Sequence, residues 1–130
     1  MSTIFDKINN KEIPCYKIHE NDDFMAFLDV NPIAIGHSLV IPKKPQDYIF
    51  DMSDDDLMAF HLYSKKIASA LKKSIECKKI GVAVIGLEVP HAHIHLVPMS
   101  KVGDLNFTAE RLTLSSREFE DICSQISSNL

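Results

Sequence analysis

HAHIHLVP occupies residues 91–98, and it places three of the chain's six histidines on alternate positions. On an extended strand successive side chains alternate faces, so His91, His93 and His95 share one side while Ala92, Ile94 and Leu96 share the other. On a helix the same spacing turns each ring roughly 200° from the last and scatters the three. The spacing therefore predicts a strand over 91–97, greasy on one face and basic on the other.

Around that strand the chain alternates in type. Ser2 or Thr3 can cap a short helix over residues 3–9, with Asp6 in its first turn and Ile4, Phe5 and Ile8 as apolar anchors. Residues 16–20 and 24–28 read as a hairpin across Asn21-Asp22-Asp23. Residues 29–36 form a loop, and 37–41 a third strand stopped by Pro42. Ser53 opens the longest helix, with Asp56 at the capping-box position and an apolar stripe through Leu57, Phe60, Ser64, Ile67, Leu71 and Ile75. Residues 82–85 and 91–97 are two further strands, and Ser115 with Glu118 opens a C-terminal helix through Phe119, Ile122 and Ile126. About five mainly antiparallel strands with one long covering helix and short terminal helices is an α+β plan. Ala92, Ile94 and Leu96 should face the long helix, and the histidines a cleft on the opposite side.

The bulk numbers narrow the function. At 130 residues the expectation is one domain, 1–130, able to bury a core. A net charge of −4 disfavours nucleic acid as the main partner, because phosphate-backbone binding needs a positive surface. Cys15, Cys77 and Cys123 are odd in number and widely spaced, without a C-x-x-C pair, and read as reduced thiols. The N-terminus lacks an apolar run and no stretch approaches the length of a membrane span, so the expectation is a soluble, cytoplasmic protein without a membrane partner.

An unperturbed histidine titrates near neutrality, so one imidazole of a cluster can attack phosphorus while a neighbour stabilises the phosphoryl oxygens. Metal binding competes with this reading, since H-x-H on a strand is a sound ligand pair that His37 and Glu88 can complete in space. A purely structural trio is the third alternative. His19 and His61 read as ordinary surface or core histidines.

Residues 91–97 follow the pattern His-φ-His-φ-His-φ-φ, with φ apolar. With the opening TIFDKINNKEIP, the loop AFLDVNP and the strand GHSLVIPKK, the chain resembles the histidine triad (HIT) superfamily and its Hint-like branch. The resemblance spans about residues 3–45 and 80–98. It implies the HIT α+β fold, commonly a homodimer, with no cofactor or catalytic metal. The implied activity is hydrolysis or transfer at the α-phosphate of a purine nucleotide, such as a nucleoside phosphoramidate, through a covalent nucleotidyl-histidine. A dinucleoside polyphosphate hydrolase, or a nucleotide-binding protein with vestigial catalysis, are the alternatives. By resemblance His93 is the nucleophile, His95, His91 and His37 assist it, Asp29 holds the ribose hydroxyls, and Ile4, Phe5, Ile8, Phe27 and Val30 wall the purine. The chain also departs from the branch. The usual glycine-rich phosphate segment is short here, Ile85 replaces an asparagine, Glu88 stands where a serine is expected, and an N-terminal C-x-x-C zinc pair is missing.

Overall fold

The computed structural model describes residues 3–130. Its elements are α1 (Ile4–Asn9), β1 (Lys17–Glu20), β2 (Phe24–Leu28), β3 (Ser38–Pro42), α2 (Asp54–Ser74), β4 (Lys79–Ala83), β5 (Ile94–Met99) and α3 (Ser116–Ser128). Two short 3-10 turns lie at Ile49–Asp51 and Val102–Asp104. The strands form one antiparallel sheet in the order β1-β2-β3-β5-β4.

The helices start where their side chains can satisfy free backbone N–H groups. Thr3 and Asp6 form a reciprocal capping box on α1, and Ser115 and Glu118 do the same on α3. Ser53 caps α2 by accepting from the Asp56 N–H. From there Phe60, Ile67 and Leu71 are completely buried. Each contributes roughly 1.5–3 kcal/mol of transfer free energy. They meet Ala26, Val40, Ala92, Ile94 and Leu96 on one face of the sheet. The apolar half of the 91–97 stretch therefore faces the long helix, as its alternation requires. α3 closes the end of this layer: Tyr16 stacks on Phe119, and the Ser127 hydroxyl donates to the Ile18 carbonyl at 2.8 Å.

The opposite face carries a smaller core, in which Phe5 and Ile8 of α1 pack on Met25, Phe27, Leu39 and Ile41. His95 pairs with Leu39 in the ladder and shares this face.

Two strands differ from their sequence-based bounds by more than one residue. β5 begins at Ile94, so His91 and His93 precede the strand. The β3–β5 ladder ends at the Val40–Ile94 pair, because β3 runs into Pro42, which has no N–H to offer. The chain there is held by other bonds: the Ala92 N–H donates to the Gln46 carbonyl at 2.6 Å, and the His91 N–H to the Val89 carbonyl at 2.8 Å. The fourth strand spans 79–83 rather than 82–85, since its partner residues on β5 are His95–Met99 and nothing remains for Val84 and Ile85 to pair with.

Candidate active site

The chemistry gathers where β2 ends and β3 begins, beside the first residues of β5. Asp29 follows β2, His37 precedes β3, and His95 lies on β5, with Leu39 pairing both Phe27 and His95. Gly36 turns the chain into His37 with φ +86°, a conformation that glycine adopts without strain. A cleft of about 730 Å³ opens here. His93 and His95 line it, while His91 and His37 are buried behind its wall.

The backbone fixes which nitrogen of each ring carries the proton. His93 Nδ1 lies 2.8 Å from the His91 carbonyl, so it donates and leaves the Nε2 lone pair free. His37 Nδ1 accepts from the Ile33 N–H at 3.1 Å, which puts the ring proton on Nε2. That Nε2–H donates to His95 Nδ1 at 3.0 Å, and His95 in turn keeps its own proton on Nε2. His91 Nε2 donates to the Pro42 carbonyl at 2.9 Å, with Thr3 Oγ1 at 3.4 Å and Asp6 Oδ1 at 3.5 Å from its Nδ1. Every imidazole near the cleft is thus held in one orientation by a partner outside it.

Burial sets the charge state. It pushes His93 below its ordinary value, against the pull of the His91 carbonyl. It pushes His95 down to about 3, reinforced by His93, His37 and Arg111, and His37 down to about 4, reinforced by Arg111 and His93. These rings are neutral at pH 7, so the 3.5 Å approach of His37 Nε2 to Asp29 Oδ2 is a hydrogen-bond contact rather than an ion pair. Burial raises Asp29, opposed by the Asn31 N–H and by Arg111.

Ile4, Phe5, Ile8, Phe27 and Val30 all line the cleft, as does Asp29. They are not alike. Phe27, Phe5 and Ile8 belong to the small core as well, whereas Ile4 and Val30 are exposed. Phe5 stands edge-on to His93, with ring centroids 4.7 Å apart, so α1 braces the ring directly. Glu88 also lines the cleft, on the loop that joins β4 to β5. His19 pairs with Tyr63, and His61 with the Leu57 carbonyl of its own helix, both away from the cleft.

The sequence reading missed Phe107 and Arg111. Phe107 packs edge-on against His95 at 4.7 Å, and Arg111 donates to the Asn31 carbonyl at 2.8 Å and to the Phe107 carbonyl at 3.2 Å. Their stretch has neither helical nor strand periodicity. The one available signal was that Arg111 is one of only two arginines in the chain.

Asp29, His37 and His95 each offer a donor atom within 4.8 Å of the others, a set of the chemistry that divalent ions accept. The Ile33 N–H opposes that use. A metal on His37 Nε2 requires the proton to sit on Nδ1, which faces the Ile33 donor.

Neutral, oriented imidazoles beside an apolar wall define a site for nucleophilic chemistry on a small polar group. Residues 10–102 match the HIT domain family model, and the chain belongs to that family. It is 37% identical to a HIT-like protein of Borreliella burgdorferi over 98% of this chain and 97% of that one. It is 36% identical to the adenosine 5'-monophosphoramidase HNT1 of Saccharomyces cerevisiae, over 73% of this chain and 61% of the yeast protein. The crystal structure of a HIT-like protein from Bartonella henselae superposes with a TM-score of 0.86 at 30% identity, covering 99% of this chain and 96% of that one.

Proposed function

We propose that the protein hydrolyses purine nucleoside phosphoramidates, or transfers their nucleotidyl group, through a covalent nucleotidyl-His93. The observation that carries this reading is the His93 ring itself. Its Nδ1–H is committed to the His91 carbonyl, its Nε2 lone pair is free, and burial keeps it unprotonated. A nucleophile needs that state. The purine lies between Phe5, Phe27 and the exposed Ile4 and Val30, with the ribose hydroxyls on Asp29, whose carboxylate suits a vicinal diol. His93 Nε2 attacks the α-phosphorus and the bond to the leaving amine breaks, the amine taking a proton from solvent. The His95 Nε2–H donates to a phosphoryl oxygen as charge gathers there. Water then attacks phosphorus, the P–Nε2 bond breaks, and the nucleoside monophosphate is released. The yeast relative's name, a monophosphoramidase, supports this choice of substrate.

The protein acts as a homodimer in this reading. β4 is an edge of the sheet, and Val82 on it, with Met58 and Leu62 on α2, are more than half exposed. An unpaired strand edge beside exposed apolar side chains favours a second copy.

The test is to quench wild-type protein with adenosine 5'-phosphoramidate and weigh the intact chain. A mass gain of one adenylyl group that is absent in His93→Ala supports the reading. Turnover by His93→Ala removes it. Nucleotide binding with neither adduct nor turnover replaces it by a binding protein without catalysis.

A further inference from the structure

Residues 105–113 cross the loop between β2 and β3. The Leu112 N–H donates to the Pro32 carbonyl at 2.9 Å, and the Arg111 guanidinium reaches the Asn31 and Phe107 carbonyls. The segment thereby fixes two side chains in the cleft wall, Phe107 against His95 and Arg111 against the Asn31 carbonyl. Among the described residues, three charged side chains line the cleft: Asp29, Glu88 and Arg111. A phosphate entering it meets two carboxylates and, apart from Arg111, only neutral imidazoles.

Arg111 is equipped to answer that charge. A guanidinium has five N–H donors in a rigid fork, and the two carbonyl bonds leave others unused. None of the ion pairs formed among the described residues includes it. With burial it holds His37 and His95 below their ordinary values, and it opposes the rise at Asp29. A cation tethered to two carbonyls, with donors to spare, in the wall of a site whose lining imidazoles are uncharged is suited to hold an anion.

We propose that Arg111 is the anion-binding residue of the cleft, held by the Asn31 and Phe107 carbonyls so that its remaining N–H groups take the phosphoryl end of a bound nucleotide. The inference rests on the nucleotide reading above and adds the group that supplies the positive charge. Affinity then scales with ligand charge through Arg111, while the nucleoside part is held elsewhere.

Equilibrium binding of adenosine, AMP and ADP to the wild type, Arg111→Gln and Arg111→Lys tests it, with thermal melts to check folding. In Arg111→Gln, AMP and ADP affinity falls about tenfold or more, as expected for a charge-assisted hydrogen bond, while adenosine changes less than about twofold. Arg111→Lys, which keeps the charge without the fork, recovers part of the loss. Equal losses for adenosine and AMP, unchanged AMP binding in Arg111→Gln, or no recovery in a folded Arg111→Lys each overturn the proposal. If the wild type itself fails to bind AMP, the nucleotide reading falls with it. If the wild type binds AMP and only the variants behave otherwise, the nucleotide reading stands and the role of Arg111 is withdrawn.

Discussion

His37 Nε2 donates to His95 Nδ1 across 3.0 Å, and the Ile33 N–H behind it leaves His37 no other tautomer. His37 is 1% exposed and lies outside the cleft lining. Its effect therefore travels through His95, whose cleft-facing Nε2 keeps its proton only while Nδ1 accepts.

His37→Ala should lower kcat by about 10- to 100-fold with a small change in KM, because orientation is lost and binding surface is not. The tautomer supplies an independent readout. Nitrogen NMR of the His95 ring should show its Nε2–H form in the wild type and a mixture of both tautomers in the variant. A single unchanged tautomer in His37→Ala would sink this assignment.

Acid should weaken the fold earlier than is usual for a chain of this composition. His37 titrates at about 4 in the folded state against 6.5 when unperturbed, and His95 at about 3. Between those values the unfolded chain binds more protons, so stability is complete above pH 6.5 and is lost as pH falls through the folded values. Each ring should cost roughly 2 kcal/mol by about pH 5. Asp29, raised by burial, acts in the opposite sense at the acid end. Urea denaturation at pH 7.5 and pH 5 measures the slope. His37→Ala should flatten it, and a wild type equally stable at both values contradicts the charge states assigned here.

The sequence carries the parts of this site that depend on residue type, and hides those that depend on backbone atoms. Alternation at 91–96 separates the histidine face from the Ala92, Ile94 and Leu96 face, and the Ser53 and Ser115 caps locate α2 and α3 within a residue. The groups that choose each tautomer are the Ile33 N–H and the His91 and Pro42 carbonyls, and every residue except proline carries both groups. No pattern of side chains announces which of them will meet a ring. The 105–113 segment is hidden for a related reason. Its place is set by the Leu112–Pro32 backbone bond and by Arg111 on two carbonyls, contacts that leave no periodicity. Strand ends are set by partners, and so 82–85 was expected where 79–83 pairs.

Gly36 tests how far the long helix and the site share one scaffold. With φ at +86°, an added Cβ would lie 2.9 Å from Ile75 Cγ1 and 3.1 Å from Leu71 Cδ1. Gly36→Ala thus meets backbone strain and a side-chain clash together, and should lose about 1–3 kcal/mol. The neighbouring His37 moves with the backbone, so kcat should fall as well. Urea midpoints and turnover at a temperature where the variant is fully folded separate the two effects.

Dimerisation gives the last prediction. Met58 and Leu62 project from α2 at 60% and 66% exposure, and Val82 from edge strand β4 at 56%. A charge at any of them costs the isolated fold little, since exposed positions tolerate substitution within about 0.5 kcal/mol. The same charge in a paired apolar interface is left without a partner and opposes association. Sedimentation of Leu62→Asp with Met58→Asp should give one chain's mass where the wild type gives two, with the far-UV spectrum unchanged. A wild type that sediments as a single chain at every concentration removes the homodimer.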